Sequence, residues 1–333
     1  MALPRVAVAA LGGTICMAPD VQSDGVMPKL SAQQLLDAIP NLGAVAQLEA
    51  QTLRQLPSPS LSFDDLLEVL RWADEQVAQG AAGVVVTQGT DTLEESAFLL
   101  DLYWPHPQPL VLTGAMRAAE AVSADGPANL RAAVTVAADA GSRTRGVLVV
   151  MNDTIHAARW VQKTHALAVD AFTSPGAGPA GAMVEGTPHY FHAPGQRTTL
   201  AQPRDAGMRV ALLESCLGDD GELLDLAVKA GYQGSVIAAF GVGHVSFAMA
   251  KRIGTLAPAY PVVIASRTGA GSTTERTYGF EGSEIDLRRR GAILAGWLGP
   301  RKARLLLWAL LAAGSATEEI RKAFASFGRM RNL

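Results

Sequence analysis

The sequence predicts an α/β protein in two parts: a larger N-terminal domain built on a mainly parallel, doubly wound sheet, and a smaller C-terminal α/β domain. Three observations carry this. Short apolar runs bounded by glycine, such as Val6-Ala7-Val8-Ala9-Ala10 and Gly83-Val84-Val85-Val86-Thr87, read as strands buried on both faces. Stretches of helical period lie between them, so strands and helices alternate as in βαβ units. At 333 residues the chain is also too long for one ordinary core.

The first strand ends in Leu11-Gly12-Gly13-Thr14, a tight turn that presents a threonine hydroxyl. Residues 15–30 mix Gly, Pro, Asp and Ser without a period, as a mobile loop beside a site would. Ser31-Ala32-Gln33-Gln34 matches a capping box, and Leu35, Leu36 and Ile39 give the following short helix its apolar face. A second strand covers 45–53. Ser62 caps a long helix through Gln79, with Leu66, Leu67, Leu70, Ala73 and Val77 on one side.

The strand at 83–87 ends in a second glycine-threonine turn, Gln88-Gly89-Thr90-Asp91-Thr92, and a helix follows to Tyr103. A strand at 109–113 leads into Gly114-Ala115-Met116-Arg117; a helix starts at Asp125-Gly126-Pro127, proline fitting its first turn. A fifth strand covers 146–151. Residues 152–200 are less regular and include a short hairpin. The breaker-rich stretch 201–208 is the expected linker, dividing the chain into 1–200 and 209–333. The C-terminal domain reads as strands at 209–213, 235–240 and 261–265, helices at 222–230 and 247–256, and two closing helices at 300–313 and 317–327, the last capped by Thr317. No internal repeat is evident.

Composition narrows the function. Hydrophobic residues make up 49% and charged residues 18%, and the net charge of −3 supplies no basic field for nucleic acid. Arg288-Arg289-Arg290 and Arg329-Met330-Arg331 are short enough to be solvated faces. Cys16 and Cys216, the only cysteines, exclude a disulfide framework and a cysteine zinc site. His156, His165, His189 and His192 match no zinc spacing, and neither glycine-threonine turn carries the Gly-Lys-Ser/Thr ending of a phosphate cradle. No metal or cofactor is expected. Residues 1–5 lead straight into the first strand without a signal segment, and no apolar run is long enough to span a membrane. The expectation is a soluble cytoplasmic protein.

In an open sheet, ligands bind outside the carboxyl ends of the strands where the strand order reverses. With the flavodoxin-like order 2-1-3-4-5, the first and third strands are neighbours, and Thr14 and Thr90 converge on one crevice. Gly12, Gly13 and Gly89 allow backbone N–H groups to approach an oxyanion. Asp91 either caps the next helix or holds a substrate ammonium group. A threonine nucleophile needs a proton acceptor; Lys163, in the loop after the fifth strand, is the lysine placed to serve Thr90.

Leu11-Gly12-Gly13-Thr14-Ile15, Thr87-Gln88-Gly89-Thr90-Asp91-Thr92-Leu93-Glu94-Glu95, Leu112-Thr113-Gly114-Ala115-Met116-Arg117, Ser123-Ala124-Asp125-Gly126-Pro127-Ala128-Asn129-Leu130 and Val150-Met151-Asn152-Asp153 closely resemble the bacterial-type L-asparaginase/glutaminase family. The resemblance continues in order to Lys302-Ala303-Arg304. It implies hydrolysis of the side-chain amide of L-asparagine to L-aspartate and ammonia, with a possible side activity on glutamine and without metal or cofactor. The resemblance makes Thr14 the nucleophile and Thr90, Asp91 and Lys163 a proton-transfer set. It gives Asp91 the substrate's α-amino group, Ser58 its α-carboxylate, and the Ala115 backbone carbonyl the amide being cleaved; Gly89 belongs to the same substrate-binding turn. It also implies a homotetramer built from dimers, in which a neighbouring subunit supplies an acidic residue, here matched to Glu284.

Two departures stand out. The first tyrosine of the chain is Tyr103, so the 15–30 loop lacks the phenol that family members use to activate the nucleophile; Tyr278, or the Thr90–Lys163 pair, is left to do so. Pro59 stands where the family often has a substrate-binding glutamine. A non-catalytic amino-acid-binding or sensor protein on the same fold is the alternative from another class, and the joint presence of Thr14, Thr90, Asp91 and Lys163 argues against it. An ammonia-releasing amidotransferase subunit would carry extra domains.

Overall fold

The computed structural model describes residues 2–19 and 26–329, and the chain divides by contacts into two units, one up to residue 199 and the other from residue 200. In chain order the first unit comprises β1 (Arg5–Ala10), β2 (Met17–Pro19), β3 (Val26–Pro28), α1 (Ala32–Asp37), β4 (Gln47–Thr52), α2 (Phe63–Ala78), β5 (Gly83–Thr87), α3 (Leu93–Tyr103), β6 (Leu110–Thr113), α4 (Gly126–Ala138), β7 (Val147–Met151), β8 (Thr154–Ala157), β9 (Gln162–Lys163), β10 (Phe172–Thr173), β11 (Gly181–Val184) and β12 (Thr187–Tyr190). Its main sheet runs β12-β11-β8-β7-β6-β5-β1-β4. The five strands from β4 to β7 are parallel, in the order 2-1-3-4-5 expected from the sequence, with β8, β11 and β12 added antiparallel.

Alternation along the strands divides the core into two layers. Val6, Val8, Ala10, Val85, Val111, Leu148 and Val150 pack with Leu35 and Leu36 of α1 and with Leu130, Ala133 and Val134 of α4. The intervening residues Ala7, Ala9, Val84, Val86 and Leu112 are equally buried. They face the other way, where α2 and α3 pack on the sheet and on each other.

This layering fixes the relative hand of the crossovers. The β1-α1-β4 connection moves outward with its helix on the first face; β4-α2-β5 and β5-α3-β6 move back with helices on the second face, and the three share one hand. The β6-α4-β7 connection moves in the same direction as β5-α3-β6 yet puts its helix on the first face, so its hand is opposite. Because about 98% of parallel crossovers are right-handed, α4 closes the left-handed one. Among these connections it is also the one preceded by the Gly114-Ala115-Met116-Arg117 loop.

Ser31 and Ser62 form the expected capping boxes, with Gln34 and Asp65 as reciprocal partners. The stretch 15–30 is more ordered at its ends than its composition implies. Thr14–Cys16 makes a 3-10 turn, β2 and β3 pair as an antiparallel ribbon, and the N–H groups of Lys29 and Leu30 both donate to the Cys16 carbonyl. Residues 20–25 of this loop lie outside the described residues, as do Met330 and Arg331 of the basic Arg329-Met330-Arg331 spot. Residues 152–200 hold more than one hairpin, since they supply β8, β11 and β12 to the main sheet as well as the β9-β10 ribbon. These strands have two to four residues each, too short to show a period.

The second unit comprises β13 (Val210–Glu214), α5 (Glu222–Lys229), β14 (Gly234–Ala239), α6 (Phe247–Leu256), β15 (Val262–Ser266), α7 (Glu284–Arg289), β16 (Ile293–Leu294), α8 (Pro300–Ala312) and α9 (Thr317–Phe327). Its strands run parallel in chain order, β13-β14-β15-β16. Leu224, Met249, Ile253 and Leu287 bring α5, α6 and α7 onto one face, while α8 packs on the strands as well. The cap of α9 falls on Ala316, whose N–H donates to Glu319 Oε2 at 2.8 Å, so Thr317 is the first helical residue and not the cap. Among the described residues no helix is long and apolar enough to cross a membrane.

Candidate active site

The two glycine-threonine turns meet at the end of the β1–β5 seam. The Leu11 N–H donates to the Thr87 carbonyl at 2.9 Å, carrying the strand pairing to the edge of the turns. At Gly13 (φ 82°) a Cβ would lie 2.1 Å from the Gly89 nitrogen, and at Gly12 (φ 109°) one would lie 2.4 Å from the Leu56 carbonyl oxygen. Both contacts are with backbone, which cannot yield as a side chain can, so these positions admit only glycine. Thr14, half-buried, opens the 3-10 turn that follows. Its neighbour Cys16 is fully buried, and burial pushes the thiol up to about 11, which leaves it unreactive.

Thr90, Asp91 and Lys163 come together as the sequence predicts. Lys163 Nζ lies 2.9 Å from Thr90 Oγ1 and 2.7 Å from Asp91 Oδ1. The Asp91 side chain is 64% exposed and the lysine 16%, so the carboxylate is open to a ligand while the amine is covered. Lys163 arrives on β9, and its own N–H donates to Glu94 Oε2 at 2.6 Å. Glu94 is only 3% exposed. The lysine is thus held at both ends by one segment, its backbone by Glu94 and its head by Thr90.

Sequence reasoning missed this role of Glu94, which it quoted only as part of the Thr87–Glu95 motif. The signal was available: Glu94 shares the apolar stripe of Ala97 and Phe98, and a carboxylate there demands a buried donor.

Ser58 opens a 3-10 turn, Ser58–Ser60, that also contains Pro59. It is 2% exposed, and a Cβ at Gly89 would lie 2.7 Å from Ser58 Oγ. That Oγ has no hydrogen-bond partner among the described residues. A buried hydroxyl left unsatisfied costs about 1–3 kcal/mol, a cost that a ligand acceptor beside Gly89 would remove. The turn is braced from below, with Thr92 Oγ1 donating to the Ser58 carbonyl at 3.1 Å and Gln88 Nε2 to the Gly89 carbonyl at 3.3 Å. Ala115 lies in the loop after β6. A Cβ at Gly114 would stand 2.6 Å from the Gln88 carbonyl oxygen and 3.2 Å from Thr90 Cγ2, so this loop lies directly against the second turn.

The residues expected from the second unit behave differently. Glu284 is fully buried, and its Oε1 accepts the N–H groups of Thr277 and Tyr278, each at 2.7 Å. Its Oε2 stands 3.3 Å from His244 Nε2. Burial alone would raise its carboxyl; the Tyr278 and Thr277 N–H groups, with further hydrogen bonds, outweigh that and hold it below the ordinary carboxylate value. Within this chain the carboxylate has no exposed surface and is occupied by its own loop. Its contacts here hold the 277–278 loop. Tyr278 is 43% exposed and packs edge-on to His244. Among the described residues no three His, Cys, Asp or Glu side chains gather as a metal group.

Two family profiles match this chain, Asparaginase, N-terminal, over residues 5–196, and Glutaminase/Asparaginase C-terminal domain, over 209–324. A probable L-asparaginase of Deinococcus radiodurans is 41% identical over 326 residues, covering 97% of each chain. A probable periplasmic L-asparaginase of Haemophilus influenzae is 34% identical over 98% of this chain and 93% of its own. Among solved structures, a probable cytoplasmic L-asparaginase from Campylobacter jejuni superposes with a TM-score of 0.86 at 31% identity, covering 97% of this chain and 99% of that one.

Proposed function

The chain belongs to the asparaginase family, and from that premise we propose that it is an L-asparaginase, hydrolysing the side-chain amide of L-asparagine to L-aspartate and ammonia. The observation that carries this reading is the Thr90–Lys163–Asp91 cluster beside the Thr14 turn. Thr14 Oγ attacks the amide carbon while its proton passes through Thr90 to Lys163. Collapse of the tetrahedral intermediate breaks the C–N bond. The departing nitrogen takes the proton and leaves as ammonia, and the aspartyl group remains as an ester on Thr14. Water hydrolyses that ester and restores the hydroxyl.

In this reading the exposed Asp91 carboxylate binds the substrate ammonium, Ser58 Oγ donates to the α-carboxylate, and the Gly89 turn lies between them. The chemistry calls for no metal or cofactor. Glutamine differs by one methylene, a difference worth about 10–200-fold in a shaped pocket, so a side activity on glutamine is expected. Exposed Leu217, Leu223, Leu226 and Phe247 offer apolar surface for subunit contact, in keeping with a homotetramer. Two free cysteines fit a cytoplasmic location.

The test is ammonia release from L-asparagine by the intact protein and by Thr14→Ala. Loss of at least about 10³-fold in kcat supports the nucleophile. Binding of L-asparagine by the intact protein without turnover would replace this reading with the sensor.

A further inference from the structure

The Ala115 loop is held by two buried side chains that none of the roles above uses. Asp125, 8% exposed, stands at the N-terminus of α4 but does not cap it. Its carboxylate turns back to accept the Met116 N–H at 2.9 and 3.1 Å and the Arg117 N–H at 2.8 Å. Asn129, one helical turn on and 2% exposed, donates from Nδ2 to Asp125 Oδ2 and to the Gly114 carbonyl, each at 3.0 Å. Its Oδ1 accepts the Asn152 N–H at 2.9 Å, which ties the arrangement to the end of β7.

The consequence follows from peptide planarity. The Met116 N–H and the Ala115 carbonyl belong to one trans peptide unit and point in opposite directions. Fixing the N–H on Asp125 therefore fixes the carbonyl direction. Asn129 holds the preceding unit through the Gly114 carbonyl, so the plane cannot turn about its own ends. We infer that Asp125, supported by Asn129, is a positioning residue that aims the Ala115 carbonyl at the amide nitrogen of the substrate. The inference rests on the asparaginase reading and on the part that the family resemblance gives to the Ala115 carbonyl. It also accounts for the hydrogen bonds of Asp125, whose carboxylate serves the loop and the Asn129 side chain and caps no backbone N–H of the helix it begins.

Substrate and product differ in the group this carbonyl reads. L-Asparagine has an amide N–H to donate to it, whereas L-aspartate has none but shares the α-amino and α-carboxylate groups. Asp125→Ala and Asp125→Asn are compared with the intact protein for ammonia release and for competitive inhibition by L-aspartate. Asp125→Ala is expected to lower kcat/KM for L-asparagine by about 10–100-fold while the L-aspartate inhibition constant stays within about twofold. Asp125→Asn, which keeps one acceptor oxygen, is expected to fall between the two. Equal losses for substrate and product, or an unchanged kcat/KM, would overturn the positioning role while leaving the asparaginase reading in place. No ammonia release by the intact protein would overturn that reading, and the inference with it. Circular dichroism and gel filtration of each variant separate misfolding from misaiming, and if Asp125→Ala does not fold the comparison rests on Asp125→Asn.

Discussion

Each unit is built on a sheet with a parallel core, and the candidate site lies at the first of them. In the first unit the order reverses at β1, whose neighbours β4 and β5 are reached by connections on opposite faces, and the chain leaves the touching turns after β1 and β5 toward opposite sides of the sheet. In the second unit the strands run in chain order with α5, α6 and α7 on one face, so no such reversal exists. The polar groups follow the topology. At the first sheet Asp91 is open and Ser58 Oγ is unspent, whereas in the second unit Glu284 is saturated by its own loop and Arg267 is engaged with the Ser215 carbonyl and the Phe240 ring.

That contrast can be broken by mutation. The largest effect is expected at the reversal itself, where Thr90→Val should lower kcat by about 10²–10⁴-fold, measured by ammonia release, with L-aspartate still bound. Glu94→Ala should follow with a loss of about tenfold or more in kcat, since β9 is then free to draw Lys163 away from Thr90. Glu94→Gln retains an acceptor oxygen for the Lys163 N–H and should recover most of the activity. Equal damage by both Glu94 variants would show that Glu94 matters for packing alone.

In the second unit Glu284→Gln should leave kcat within about twofold and change acid stability instead. The folded carboxyl sits below its ordinary value of 4.5, so the stabilisation it gives is complete above that value and is lost as pH falls through the lower folded value. Thermal melts at neutral pH and below pH 4.5 should show the intact protein losing more stability on acidification than the variant. The smallest effect is expected for Tyr278→Phe, whose kcat should equal that of the intact protein when Thr90 and Lys163 carry the Thr14 proton. A large loss there would bring the second unit into the chemistry and erase the contrast.

Much of the site was legible because its residues sit at ends of long buried runs. Val84-Val85-Val86 announces a strand without ambiguity, and the glycine beside each threonine marks where two backbones touch. Lys163 was legible by scarcity. Glu94 and Asp125 were not, because each looks in sequence like an ordinary acidic residue at a helix start, and their partners are backbone N–H groups brought up from a distant strand or a folded-back loop. A short hairpin within 152–200 was legible, but the joining of β8, β11 and β12 to the main sheet was not, because four-residue strands take their identity from the neighbour they pair with. The hold of Glu284 on the 277–278 loop was not legible either, because spacing along the chain says nothing about which backbone N–H groups a carboxylate meets.

The left-handed α4 crossover also has a mechanical result. Because α4 begins on the same face as α1, Gly126 lies so close to the first turn that a Cβ there would stand 3.0 Å from Ile15 Cγ1 and 3.4 Å from Ala115 Cβ. Ile15 follows Thr14 directly. The absence of a side chain at Gly126 thus leaves room for the segment that follows Thr14 and for the Ala115 loop to approach the same point of α4. A side chain introduced at this one position would press on both segments at once, from outside the sheet.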